Sequence, residues 1–450
     1  MYHMTSGSPL KILIRFSLPM LLSMVFQQLY NVVDSIIAGQ CINVNALAAI
    51  GASYPVTTLF LSIATGASAG CSIVIAQFFG ARMMVKVKTS IYTAMTALTV
   101  LSVLLTIAGL LSCGGLLSLI HTPASIFDDA ASYLKIYILG LLFLFLYNAA
   151  NAIYNGLGDS KTPLYFLIFS SVFNVALDLI FVNIFHMGVA GLAWATLTAQ
   201  GLAAALSVFL LIFRIRRIRL PHHHTAPVWN WRLLLSMTRI AIPSICQQSF
   251  ISVGIFMIQG VVNACGSAAV AAFSAALKIS TFMIMVMNTL PNALSSYASQ
   301  NIGAGRLTRV SQGMRAALGL SETIVLFLNL IVFIFGKNIL GLFVSADNKE
   351  VIRLGIKYLY TVAPFYTLVG VKNCCDSILR GGGAMKPFMI GTFTDLLIRV
   401  GFAYGAFGLL GFGSICWAYP AGWVIGAPLC FFFYRKGYWK NHMLFKTQHS

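Results

Sequence analysis

The sequence predicts an all-α integral membrane protein: twelve transmembrane helices in two pseudo-symmetric six-helix bundles. Three observations lead there. The 450 residues are 59% hydrophobic and only 9% charged, with a mean hydropathy of +0.87, a balance foreign to soluble domains of this size. Apolar runs of about 20 residues, the length that crosses a bilayer core, recur from end to end. The second half of the chain also repeats the first at a nearly constant offset.

The spans lie near 12–38, 48–78, 89–112, 131–155, 163–184, 189–213, 233–262, 268–300, 313–336, 357–378, 388–411 and 415–434. The first is the most unusual. It carries Gln27, Gln28, Asn31 and Asp34, and positions 27, 31 and 34 share one helical face. Asp34 has no Lys or Arg near it in sequence. An acid in a membrane span is costly and faces a protein interior or a water-filled cavity. Pro19, fifteen residues before it, is a kink candidate. So are Pro55 in the second span, Pro243 in the seventh and Pro291 in the eighth. The fifth span brings Asn174 and Asp178, one turn apart, and the sixth brings Thr196. The ninth holds Glu322, the tenth Lys372 and Asp376, the eleventh Asp395 and Arg399. Both ends of the chain are polar or basic tails, and the first span reads as a retained helix, not a cleaved signal.

The net charge of +19 does not indicate nucleic acid, because the basic residues are scattered over short loops. Of the 29 Lys and Arg, 21 fall in alternate segments that include both termini and the 214–232 loop. The positive-inside rule puts those segments in the cytoplasm, so the chain is expected in the cell inner (cytoplasmic) membrane with both termini cytoplasmic. His222, His223 and His224 in that loop read as a solvated linker. Nine cysteines form no CxxC pair, and vicinal Cys374 and Cys375 read as small buried hydrophobes.

The 214–232 loop is also the midpoint of the duplication. ALAAIGAS at 46–53 aligns with AVAAFSAA at 269–276, and Gln77-Phe-Phe-Gly80-Ala81 with Gln300-Asn-Ile-Gly303-Ala304, both at an offset of 223. Pro19 meets Pro243 and Pro163 meets Pro387 at 224; Tyr133 meets Tyr358 and Gly156 meets Gly381 at 225. The expected domains are therefore 1–220 and 221–450. Six spans is an even number, so both halves enter the membrane in the same sense. An axis along the membrane normal, with a cavity between the halves, is the layout in which alternating access works by rocking.

Five of the ten acids fall within spans: Asp34, Asp178, Glu322, Asp376 and Asp395. In the second half, Lys372–Asp376 and Asp395–Arg399 are each four apart and can neutralise each other; Lys278 and Glu322 are available to each other across helices. In the first half, Asp34 and Asp178 have no such partner, so the bundle needs a cation, a proton or both. Counting from span ends, Asp34, Asp178 and Thr196 all lie roughly 6–11 Å below the outer boundary. Two carboxylates, an amide oxygen and a hydroxyl at one depth are hard ligands, suited to Na⁺ or to a shared proton.

With these residues in view the chain resembles the multidrug and toxic compound extrusion (MATE) transporters of bacterial type. The resemblance covers nearly all of it. It rests on Pro19 followed by Asp34, on AQFFGA at 76–81, on GLGDSKTP at 156–163, on Asn174-xxx-Asp178, and on Pro291 followed by SQNIGAG at 299–305. It implies a monomeric, cofactor-free antiporter, not an enzyme, that exports lipophilic organic cations across the lipid bilayer in exchange for H⁺ or Na⁺. The implied cation site, which would hold the metal ion if the ion is Na⁺, is Asp34, Asn174, Asp178 and Thr196. The implied acid of the tenth span is Asp376. Gln27, Asn31, Met283, Met287 and Asp376 are the expected substrate-cleft residues, with the methionines equally explained as span filling. One departure is that the seventh span has Gln247, Gln248 and Gln259 where some members carry a Glu, which weakens a second cation site. The alternatives are a flippase or exporter of a lipid-linked or other amphiphilic substrate, which would favour a basic cleft; a membrane enzyme using Asp128–Asp129; and a channel.

Overall fold

The computed structural model describes residues 3–42, 44–120, 122–218, 220, 225–344 and 348–440. His222, His223 and His224 lie outside the described residues. Among those described, the structure is helical throughout, without a strand. The order is α1 (Pro9–Ile37), α2 (Val44–Gly80), α3 (Met84–Leu119), α4 (Phe127–Leu139), α5 (Leu141–Gly156), α6 (Lys161–Leu179), α7 (Gly188–Arg216), α8 (Trp231–Ala264), α9 (Ser267–Gly303), α10 (Leu307–Gly341), α11 (Lys349–Val362), α12 (Tyr366–Gly381), α13 (Met385–Gly405), the single turn α14 (Phe407–Leu410) and α15 (Phe412–Arg435). Nine of these are each long and apolar enough to span a bilayer, and the pair α4–α5, bent by 48° at Gly140, makes a tenth. The pair α11–α12, broken at Ala363–Phe365, and α13 complete twelve passes; they fall short of that test and carry the ion pairs described below.

Large apolar side chains lie exposed in stripes, such as Val100, Val103, Leu104, Ile107 and Leu111 along α3. Their spacing puts them on one face. In water such a stripe would drive association; in a bilayer it is the ordinary lipid-facing surface.

The chain forms two compact units. One is Leu18–Ile245 with Met1–His3, the other Cys246–Ser450 with Met4–Ser17. Within the first, α2 packs on α3 and α5, α5 on α7, and α6 on α7. Within the second, α9 packs on α10 and α12, α12 on α15, and α13 on α15. These are the same pairings carried over to the repeated helices, so the duplication extends from sequence to packing.

The units exchange the beginnings of their first helices. The start of α1 belongs to the second unit. There Met4 is fully buried; its N–H donates to Gln300 Oε1 at 3.0 Å, and its carbonyl accepts from Asn301 Nδ2 at 3.3 Å. Arg306 donates to the Thr5 carbonyl at 2.6 Å and Arg309 to that of Gly7 at 2.9 Å. Reciprocally, the start of α8 belongs to the first unit. The Asn230 N–H donates to Thr93 Oγ1 at 3.2 Å, while the Asn230 side chain caps α8 by accepting from the Leu233 N–H at 3.1 Å. α8 then runs backbone to backbone along α2. A Cβ at Gly70 would lie 2.6 Å from the Met237 carbonyl oxygen, and one at Gly66 2.7 Å from Ile245 Cα, so only glycine permits this approach. Both passages between units occur beside a helical proline, Pro19 in α1 and Pro243 in α8.

GLGDSKTP forms the turn into α6. Gly158 has φ +79, and Asp159 accepts from the N–H groups of Lys161 and Thr162, both at 3.1 Å, and from Thr162 Oγ1 at 2.8 Å. Arg214, at the end of α7, pairs with Asp159 and donates to Thr162 Oγ1 at 2.9 Å. Burial alone would raise the Asp159 pKa; the Arg214 and Thr162 donors more than offset this and hold it below the usual carboxylate value. A lowered folded pKa stabilises above the unfolded value of about 4 and is lost as pH falls through the folded value. Asp159→Ala is therefore expected to cost about 2–3 kcal/mol near neutrality, where the donors of Lys161, Thr162 and Arg214 lose their ionised acceptor. Thermal melts in detergent should show that gap closing in acid; a gap that widens there would refute the assignment.

Candidate functional site

Two helices of the first unit deliver its two intramembrane acids to one place, and α7 brings Thr196 beside them. Asp34 lies in the last turn of α1 and Asp178 one residue before the end of α6. Each helix then widens into a π-helical turn, Ala38–Ile42 after α1 and Ile180–Ile184 after α6. Such turns insert an extra residue and re-aim the side chains beside them. The two π turns pack together. Ile37, Ala38, Val182 and Leu192 form an apolar cluster there, with Val33 and Val175 against it.

Beneath that cluster Asp178 is fully buried and Asn174 almost so, while Asp34 is half-buried. The Asn174 amide takes the orientation that satisfies its neighbours. Its Nδ2 donates to Asp34 Oδ1 at 3.2 Å and to Asp178 Oδ2 at 3.0 Å, and its carbonyl accepts from the Thr196 N–H at 3.1 Å. The two carboxyl groups thus meet at the one amide nitrogen of Asn174. Tyr30 Oη lies 3.5 Å from Thr196 Oγ1, close enough to Asp34 for the acid to act on it electrostatically. Among the described residues neither acid forms an ion pair, and Asp178 Oδ1 is enclosed without a hydrogen-bond partner. Two like charges bridged by one amide in a largely buried pocket cannot both stay ionised cheaply.

The structure thus brings together Asp34, Asn174, Asp178 and Thr196. Tyr30, one turn before Asp34, is not marked by the sequence pattern, which singles out the amides Gln27 and Asn31. Those two are exposed on α1, where Asn31 Nδ2 donates to Gln28 Oε1 at 3.1 Å. Tyr133 of α4, noticed in sequence only as a repeat match, lies close enough for both acids to act on it electrostatically.

In the second unit Met283 and Met287 are buried in the apolar core with Ile258, Phe273 and Tyr366. Asp376 is buried and accepts from Lys372 Nζ at 2.8 Å. Arg399 Nη2 donates to both oxygens of Asp395 at 2.9 Å, and the guanidinium carbon Cζ lies 4.6 Å from the Tyr419 ring centre. The sequence read two separate pairs; Lys372 Nζ, 3.9 Å from Asp395 Oδ2, links them into one network of two cations and two anions. The suggested Lys278–Glu322 partnership does not form: Lys278 lies over Phe343, 5.4 Å from the ring centre, and no ion pair to Glu322 exists among the described residues. Cys374 and Cys375 are buried free thiols.

Comparison with known proteins agrees with this layout. The MatE family model matches twice, at residues 19–180 and 243–405, an interval equal to the internal repeat. The chain is 31% identical to "Probable multidrug resistance protein YpnP" of Bacillus subtilis (strain 168) over 99% of both chains. It is 28% identical to "Probable multidrug resistance protein YoeA" of the same organism, over 93% of this chain and 92% of that one. Among solved structures, a MOP superfamily transporter from Pyrococcus furiosus superposes with a TM-score of 0.89 at 23% identity, covering 97% of each chain.

Proposed function

The chain belongs to the MATE family of multi-pass membrane transporters, and from that premise we propose that it exports lipophilic organic cations by antiport with protons. The family's members are transporters and not enzymes. Drug efflux is supported by the names of the two Bacillus relatives. Antiport rests on one observation above all: Asp34 and Asp178, joined by Asn174 beside an apolar cluster, with no ion pair to either acid among the described residues.

The same geometry favours H⁺ over Na⁺. Asn174 turns its nitrogen to the carboxylates and commits its oxygen to the Thr196 N–H. A Na⁺ ion coordinated by that oxygen would break the Thr196 bond and rotate the amide. A proton needs neither change. With the pair unprotonated the unit favours a cationic cargo; protonation from outside removes that preference, and the cargo leaves. The change passes along α1 to Pro19, beside the point where the helix moves from one unit to the other. The driving force suffices: about 2.3 kcal/mol per charge per 100 mV, and about 1.4 per pH unit.

The test is efflux of an ethidium-like cation from proteoliposomes under an imposed pH gradient and, separately, an imposed Na⁺ gradient. The pH gradient alone should drive transport. Transport driven by Na⁺ alone would reject the proton assignment. Orientation is read in cells: with both termini and the 214–232 loop in the cytoplasm, an impermeant thiol reagent should not reach a cysteine introduced at position 224.

A further inference from the structure

Four of the five intramembrane acids have partners: Asp34 and Asp178 through Asn174, Asp376 and Asp395 through Lys372 and Arg399. Glu322 is the fifth. It is the sixteenth of the 35 residues of α10, about 22 Å along the helix and near its middle. That is deep within a hydrocarbon layer of about 30 Å.

Glu322 Oε1 is enclosed and has no hydrogen-bond partner, and the same holds for the neighbouring Ser321 Oγ. Both oxygens point at one spot on α12. A Cβ at Gly370 would lie 2.7 Å from Glu322 Oε1 and 2.9 Å from Ser321 Oγ. The absent side chain of Gly370 leaves a small hollow into which the carboxyl and the hydroxyl converge. The groups around it are accounted for. α12 offers the Cys374 thiol, one turn beyond Gly370, Lys372, held by Asp376 at 2.8 Å and Asp395 at 3.9 Å, and Tyr366, packed in the apolar core. α9 offers Lys278, which lies over Phe343. α11 offers Tyr360, whose hydroxyl donates to the Phe333 carbonyl, and Tyr358, packed in the core against Phe273. No cationic side chain pairs with Glu322 among the described residues.

We propose that Glu322, with Ser321, is a second proton-binding site, housed in the second unit and independent of the acids of the first. An ionised carboxylate held in hydrocarbon with an unpaired oxygen is strongly disfavoured. A protonated one is neutral and can share a hydrogen bond with the adjacent hydroxyl. One carboxyl and one hydroxyl facing a glycine supply too few oxygens to replace the hydration shell of a metal ion, so the ligand is H⁺. Taking up that proton forms one O–H bond on the carboxyl and cancels one charge.

Protonation itself does not depend on the antiport reading; only its part in transport rests on that reading. The experiment therefore reads protonation directly, by infrared difference spectra of the purified transporter as pH is changed. A carbonyl-stretch band of a protonated carboxyl is expected to vanish in Glu322→Gln, to persist in the Asp34→Asn/Asp178→Asn double variant, and to shift in Gly370→Ala, where the new methyl group crowds Oε1. Glu→Gln is nearly isosteric and removes a buried charge, so the fold should hold; gel filtration and melting of each variant check this. Identical spectra for wild type and Glu322→Gln at every pH would overturn the proposal. In proteoliposomes, Glu322→Gln should still export cargo but respond less steeply to the pH gradient. If the band is lost as expected while the wild type shows no proton-driven efflux, the site stands and the antiport reading falls.

Discussion

Asp34→Asn is expected to lower gradient-driven efflux roughly 100-fold, the upper range of coupling between two binding events, while leaving the protein folded and inserted. Asn is nearly isosteric with Asp, and the change removes a charge that is costly to hold in hydrocarbon. What disappears is one of the two carboxyl groups that Asn174 bridges at 3.2 and 3.0 Å. With one carboxyl left, no like charge compels the site to take a proton, and the difference between its two states collapses. Asp178→Asn should do the same. The double variant should be little worse than either single, because the two acids titrate as one pair. The measurement is efflux in proteoliposomes normalised to inserted protein. Wild-type coupled transport by Asp34→Asn would move the switch elsewhere and sink the reading of the first unit. Additive losses in the double variant would show two independent sites.

The second large effect concerns stability rather than transport. Lys372→Met should destabilise the second unit by about 3–5 kcal/mol, the cost of removing one partner from a buried ion pair. Lys372 and Asp376 side chains are each only 7% exposed, so little solvent screening softens the loss. Asp376 would lose the ammonium 2.8 Å away and Asp395 the one at 3.9 Å. Lys372→Met combined with Asp376→Leu removes both charges of the closer pair, and most of the stability should return. Thermal and denaturant unfolding in detergent decide the matter. A single variant as stable as wild type would show that the network contributes nothing, and a double variant no better than the single would place the cost elsewhere.

That Asp34, Asp178 and Thr196 meet was legible in the sequence because helical rise is constant: counting residues from a span end gives a height, and groups at one height in one bundle can meet. Asn174 followed from being one turn from Asp178. Tyr30 did not follow, because an aromatic in an apolar span has a sufficient explanation in burial alone. The π turns after Asp34 and Asp178 were also invisible. The two π turns pack against each other and against α7, and AGQCI and IFVNI carry no composition that marks them. In the second unit, four-residue spacing disclosed each ion pair, since that spacing is a property of one helix. The Lys372–Asp395 link joins two helices and depends on their rotation, which no local pattern encodes.

The exchanged helix beginnings bear on the origin and making of the chain. Cut between its repeats, each half would carry a first helix whose seat lies in the other half. Two such halves meeting as separate chains would form a domain-swapped dimer. The covalent joint through residues 214–232 turns that swap into an intramolecular exchange, and it assigns every helix start one partner at a fixed effective concentration. Translation feels the same constraint. The acceptor of the Met4 N–H, on Gln300, stands 296 residues later, so this segment is secured only after those residues have been made.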